Sequence, residues 1–362
     1  MKKIIIKLGT GILSEGQGEI RTDRMEQLAE AIASLAQEQI QTIIVSSGAV
    51  GLGMGKLGIN ERPKNMALLR ACASIGQCRL MNAWSNSLEK FSLIASQVLL
   101  TREDIENKIR SQKVEETLSS LLDQKVIPIV NENDSVSDEE IKFGDNDVLS
   151  SMLASIGKAD FLIILSTAKG LMTHPTSGSL IPYVADITPS IEAMAKGTQS
   201  PTAVGGMVTK IEAAKIATLS GCAVFIGSGE NPSLLKSIIK GENKQGTFFA
   251  PNGLELSQRK KWLGFLPTPK GTISIDEDAM EVTFKMEKSL QASGISSVSG
   301  DFEKADSVDI LDPKGKIVAR GITRFSKSEL IRIIGKQKKE ILKVFPGKKR
   351  HEVVHEDNFT PF

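Results

Sequence analysis

The chain has 362 residues, a formal net charge of +2 and three cysteines. That length holds two or three domains, and a composition 40% hydrophobic but only 4% aromatic describes a globular protein with an aliphatic core, while the near-neutral charge excludes a global argument for nucleic acid or an anionic membrane surface. No signal-type apolar segment precedes the first strand and no apolar run approaches membrane-spanning length, so the expectation is a cytoplasmic protein, not membrane-bound, with reduced thiols at Cys72, Cys78 and Cys222.

The opening run Lys3-Ile4-Ile5-Ile6-Lys7-Leu8 reads as a strand buried on both faces, the habit of a central strand in a parallel sheet. Lys7 at its end either snorkels to solvent or meets a ligand beyond the carboxyl edge, where open parallel sheets bind. Gly9 and Gly11 then let the backbone approach a ligand and offer N–H groups to phosphate oxygens. Helical periodicity runs from Thr22 to Gln37, with Thr22 or Asp23 as N-cap and Met25, Leu28, Ala29, Ile32, Leu35 and Ala36 on the apolar face. A second strand, Thr42 to Val45, ends in Ser46-Ser47-Gly48, and this βαβ unit brings Ser47 to the sheet edge where Lys7 stands. Gly53, Gly55 and Gly58 spell GxGxxG, but after the second strand and not the first, which argues against a dinucleotide site. Leu57 after Gly55-Lys56 excludes a P-loop.

Met66 to Glu89 reads as a helix whose stripe of Leu68, Leu69, Ala71, Cys72, Ile75, Leu80 and Trp84 suits a core or subunit contact. A third strand follows at Ile94 to Leu100, then a helix from Arg102 to Asp123 capped by Thr101, then a strand at Val126 to Val130 in which Pro128 is awkward. The loop from Asn131-Glu132-Asn133-Asp134 to Gly144-Asp145-Asn146-Asp147 is dense in carboxylates and amides. It is either a solvated acidic loop or a site for a ligand bearing an ammonium group, with a helix starting near Asp147. A fifth strand, Asp160 to Leu165, runs into Ser166-Thr167. Gly205-Gly206-Met207-Val208-Thr209-Lys210 is a glycine turn feeding a helix, an arrangement suited to anions. A further strand spans Cys222 to Gly227, with a short helix from Pro232 to Ile239.

From Leu254 the texture changes to a basic stretch around Trp262, a Pro- and Gly-bearing joint, and short strand-like runs. The expected division is a large α/β domain over 1–253, a linker over 254–270, a small β domain over 271–350 and a tail over 351–362. The basic run from Arg332 to Arg350 is either a nucleic-acid patch or a solvated face. His174, His351 and His355 make no metal or triad spacing, and no protein metal ligands are expected.

IKLGT around Lys7, VSSGAV around Ser47, NEND at 131–134, GDND at 144–147 and GGMVTK at 205–210 stand in the order and spacing of the glutamate 5-kinase family. RKKWL near Trp262 and the C-terminal strands resemble the linker and PUA domain of its bacterial members. The resemblance implies an α/β fold, an open and mostly parallel sheet sandwiched by helices (the amino-acid kinase fold), with a smaller β-rich PUA-like domain. It also implies ATP-dependent phosphorylation of the γ-carboxylate of L-glutamate to γ-glutamyl phosphate, the first step of proline biosynthesis, with Mg²⁺ bridging ATP phosphates. By matched position, Lys7 and Lys210 flank the transferring phosphoryl group and Asp147 orients both lysines. Ser47, Asp134 and Asn146 match glutamate-binding positions, with Asp145 beside them. The nucleotide side comprises Lys7, Gly9, Ser166 and Thr167 together with Gly205, Gly206, Met207, Val208, Thr209 and Lys210, and Thr167 stands where the family usually has Asp. A homo-oligomer and proline as feedback inhibitor are implied by the family alone. Acetylglutamate, aspartate and carbamate are the neighbouring alternatives as acceptors, and an RNA-binding protein with a retired kinase domain is the alternative from another class.

Overall fold

The computed structural model describes residues 2–15, 18–136, 146–174, 178–196, 206–242, 245–251, 269–285, 288–346 and 351–361. The chain divides into two compact units, Met1–Leu254 and Glu255–Phe362. The first carries β1 (Lys3–Leu8), a small hairpin of β2 (Ser14–Glu15) and β3 (Glu19–Ile20), β4 (Gln41–Ser46), β5 (Ile94–Leu100), β6 (Val126–Glu132), β7 (Phe161–Ser166), β8 (Tyr183–Val184), β9 (Ala223–Ser228) and β10 (Gly246–Phe249). Apart from the hairpin these form one eight-stranded sheet in the order β5-β6-β4-β1-β7-β9-β10-β8. Pairing from β5 across to β9 is parallel, and β10 runs antiparallel to β9.

β1 lies in the middle of the parallel part, so its isoleucines must be apolar on both faces. Strand alternation divides them. Ile4, Ile6 and Leu8 pack with Met25, Leu28 and Ile32 of the helix Thr22–Gln37 and with Leu80, Trp84 and Leu88 of the helix Met66–Glu89. Lys7 consequently faces the other side, at the carboxyl end of the strand.

Several local readings need correction. The helix Thr22–Gln37 starts from Arg21 with no side-chain cap, and Ala33, not Ala36, completes its buried face. The helix expected over Arg102 to Asp123 is two helices, Arg102–Glu106 and Lys108–Asp123. Asn107 breaks it, because its backbone is extended and its side chain accepts from Ile109 N and Arg110 N, acting as a fresh N-cap. Pro128 is tolerated in the interior strand β6 because pairing with β4 begins one residue later, at Ile129. Leu68 and Ala71, read as apolar stripe, are exposed, whereas Ala73, Gly76 and Gln77 are buried.

The glycine-rich stretch after β4 serves packing. Gly48 takes φ +109 at the start of the helix Ala49–Lys56, a conformation that side chains rarely adopt. A Cβ on Gly53 would run into the Cys72 carbonyl, and one on Gly76 into the Ala49 carbonyl. The helices Ala49–Lys56 and Met66–Glu89 therefore approach backbone to backbone, which accounts for Gly53, the first glycine of the GxGxxG pattern, without a phosphate.

The second unit is a five-stranded sheet of β11 (Gly271–Ile275), β12 (Ile295–Gly300), β13 (Ser307–Leu311), β14 (Ile317–Ile322) and β15 (Phe359–Pro361), ordered β12-β11-β13-β14-β15. Its core gathers Ile273, Phe302, Val308, Ile310, Phe325 and Val353. The segment 351–362 is not a tail: β15 pairs with β14, and Val353 and Val354 are fully buried. The expected joint at 254–270 falls, except for its last two residues, outside the described residues.

Gly76→Ala is expected to lower unfolding stability by about 1–3 kcal/mol, the cost of over-packing a core, read from the midpoint of urea denaturation. Gly51→Ala, at a position with open space around it, leaves that midpoint level or raised.

Candidate active site

Two helices cover the sheet face to which Lys7 turns, and each contributes its first turn. Asp147 is the second residue of the helix Asn146–Ile156, and Lys210 stands in the first turn of the helix Met207–Leu219. Asp147 Oδ1 lies 2.6 Å from Lys7 Nζ, and Asp147 Oδ2 lies 2.9 Å from Lys210 Nζ. The three residues are 3%, 0% and 6% exposed for Lys7, Asp147 and Lys210. Thr209 Oγ1 sits 3.3 Å from Asp147 Oδ2 and 3.0 Å from Gly206 O.

Burial alone would push the Asp147 carboxyl up. The charges of Lys7 and Lys210, reinforced by hydrogen bonds from both, overcome that and hold it below the ordinary carboxylate range. One carboxylate thus holds two ammonium groups at the same point. The pair of ammonium groups lies at the first turns of two helices, whose dipoles favour anions.

A second cluster adjoins the first through the Asn146-Asp147 step. Asn146 Nδ2 donates to Ser47 Oγ and to Asn131 Oδ1, both at 2.9 Å. Asn131 Nδ2 in turn donates to Gln77 Oε1 at 2.9 Å. Both hydrogens of the Asn146 amide are thus directed at the protein, while its Oδ1 has no hydrogen-bond partner among the described residues. Asp134 lines a small cavity together with Gln77, Ala49, Ala73, Leu99 and Glu132.

The residues expected along a nucleotide are spread along the sheet edge. The Gly9 N–H is spent on Leu165 O at 3.0 Å, so it ties the β1 turn to β7 and is not the free phosphate donor expected from the glycine turn. Ser166 Oγ accepts from Ala168 N–H at 3.1 Å, and Thr167 is exposed. Gly206 caps the helix that carries Lys210, Met207 is buried beneath it and Val208 is exposed. Asp145 and Gly205 lie outside the described residues. Among the described residues, no cluster of three or more His, Cys, Asp or Glu could hold a metal ion.

Sequence reading brought Lys7, Asp147 and Lys210 together, and Ser47 with Asn146. It gave no role to Gln77 and Gln97, and it noted Asn131 only as part of a polar loop. The available signal was register: Gln77 lies four residues after Ala73 and seven before Trp84, on the buried face of its helix.

Residues 2–228 match the amino acid kinase family, and residues 271–345 match the PUA domain. The chain belongs to the amino acid kinase family. Within it, the chain stands among relatives named glutamate 5-kinase. That of Moorella thermoacetica is 39% identical over 361 residues, covering 99% of this chain and 95% of that protein. That of Syntrophotalea carbinolica is 41% identical over 365 residues, covering 99% and 97%. Among solved structures, carbamate kinase from Giardia lamblia bound to AMP-PNP superposes with a TM-score of 0.52 at 17% identity, covering 69% of this chain and 99% of that one. That likeness establishes the fold of the first unit, the expected open, mostly parallel sheet with helices, while the expected β-rich PUA domain is shown by its family match and its five-stranded sheet.

A depressed carboxyl pKa stabilises the fold at pH above the unfolded value of about 3.9, and the contribution is lost as pH falls through the folded value. Asp147→Asn is expected to cost about 3–5 kcal/mol at neutral pH, since it leaves buried ammonium groups uncompensated. Below about pH 4 the wild type should lose stability more steeply than the Asn variant, a difference measured by urea denaturation across pH.

Proposed function

We propose that this protein transfers the γ-phosphoryl group of ATP to the γ-carboxylate of L-glutamate, forming γ-glutamyl phosphate and ADP, the step that opens proline biosynthesis. The observation that carries the reading is the Lys7–Asp147–Lys210 triad, in which lysines remote in the chain converge on one buried carboxylate. Nearly full-length similarity to proteins named glutamate 5-kinase supports the choice of acceptor.

The acceptor is ionised at neutral pH, so no general base is needed. One γ-carboxylate oxygen bonds to the γ-phosphorus as the bond from that phosphorus to the β,γ-bridging oxygen breaks, and the electron pair leaves with ADP. Charge spreads over the equatorial oxygens of the moving group, and Lys7 and Lys210 balance it. Asp147 holds both ammonium groups against their mutual repulsion and remains ionised throughout. Ser47, Asn146 and Asp134 form the acceptor side, with Asp134 pairing the substrate ammonium; Asp145 joins them. The glycine turn 205–210 and Ser166-Thr167 take the nucleotide. Mg²⁺ would enter with the ATP substrate, since it prefers phosphate oxygens and water, and would offset the charge of the phosphates.

The test is ADP release with glutamate, acetylglutamate, aspartate or carbamate as acceptor, hydroxylamine being present to trap an acyl phosphate. Glutamate is expected to give the highest kcat/KM, and a faster alternative acceptor overturns the assignment. Lys7→Ala and Lys210→Ala should each lower kcat by about a hundred- to a thousandfold without loss of fold by circular dichroism; near-normal turnover in either removes it from the mechanism. Asp134→Ala should raise the KM for glutamate while leaving the KM for ATP in place.

A further inference from the structure

The acceptor cluster is held from behind by one face of the helix Met66–Glu89. Trp84 Nε1 donates to Ser46 Oγ at 3.0 Å, immediately before Ser47. Gly76 leaves room for the Ala49 carbonyl, immediately after Gly48. Gln77, 8% exposed, accepts from Asn131 Nδ2 at its Oε1 and donates from Nε2 to Gln97 Oε1 at 3.1 Å.

The direction of this amide chain is set at one point. The backbone N–H of Glu132 can only donate, and it lies 2.9 Å from Asn131 Oδ1. That end of Asn131 is therefore its oxygen, which also receives Asn146 Nδ2 at 2.9 Å. Asn131 must then present its NH₂ to Gln77, and Gln77 its NH₂ to Gln97. Each amide dictates the orientation of the next, and a reversal at Gln77 would set two donors or two acceptors against each other.

We propose that Gln77 is a positioning residue for acceptor binding: through Asn131 it fixes the orientation of Asn146 and the seat of Ser47 without touching the substrate. The proposal rests on the glutamate reading above. It follows that its loss acts on the acceptor and not on the nucleotide, because the phosphoryl-side lysines are held by their own ion pairs to Asp147.

The experiment measures kcat and both KM values for the full-length wild type, Gln77→Leu, Gln77→Glu and Gln97→Leu. Gln77→Leu keeps the bulk but offers Asn131 no acceptor, and the KM for glutamate should rise by about 10- to 100-fold, as small misplacements of binding groups do, with kcat and the KM for ATP little changed. Gln77→Glu restores an acceptor for Asn131, and the exposed Gln97 amide can turn to donate to it, so the KM for glutamate should return to near the wild-type value. Gln97→Leu, at an exposed position that tolerates substitution, should show a smaller rise than Gln77→Leu and keeps the test available if the latter does not fold. An unchanged glutamate KM in the folded leucine variants, a parallel rise in the KM for ATP, or equal damage from Leu and Glu overturns the proposal. A wild type that turns over ATP without glutamate as acceptor overturns the glutamate reading and this proposal together, whereas an active wild type with indifferent variants overturns this proposal alone.

Discussion

Burying Lys7 and Lys210 side by side is possible only because Asp147 lies between them. Two unit charges about 4 Å apart at an effective dielectric constant near 20 interact by roughly 4 kcal/mol, a scale on which neighbouring buried lysines need a carboxylate between them. With it, the repulsion becomes two ion pairs of 2.6 and 2.9 Å. The carboxylate thus does two things at once. It lets two helix starts pack on β1, and it holds both ammonium groups at one point of the sheet edge.

That constraint orders the rest of the catalytic unit. Strand alternation gives the face under the helix Thr22–Gln37 to aliphatic core and frees the opposite face for Lys7. The adjacent pair Asn146-Asp147 joins the charged cluster to the amide cluster, because consecutive residues at a helix start point in different directions. One side chain reaches the lysines, the other reaches Ser47 and Asn131. Behind the amide cluster the close approach of helices Ala49–Lys56 and Met66–Glu89, permitted by Gly53 and Gly76, makes the acceptor side stiff.

Much of the fold was legible along the chain because periodicity and burial coincide. The helices Thr22–Gln37 and Met66–Glu89 and the strand Ile94–Leu100 occupy the residues their patterns indicate. Misreadings came where a side chain competes with the backbone or where a partner lies far away. Asn107 breaks a helix whose apolar pattern continues through it, since a local N-cap outbids propagation. Phe359–Pro361 looks like a terminus until β14 is available to pair with it.

From the sequence alone came the order of the elements, the placement of Lys7 and Lys210 at glycine turns, and the polar loop between them, because these depend on local pattern and on motifs that resemble a known family. Tertiary structure decided the distances and the amide partners around them. That the Gly9 N–H would be consumed by Leu165, and that Gln77 would enter the amide cluster from a helix more than fifty residues away from Asn131, follow from strand register and helix packing. Those distances exist only once the parallel sheet has set its strands side by side and turned alternate residues to opposite faces.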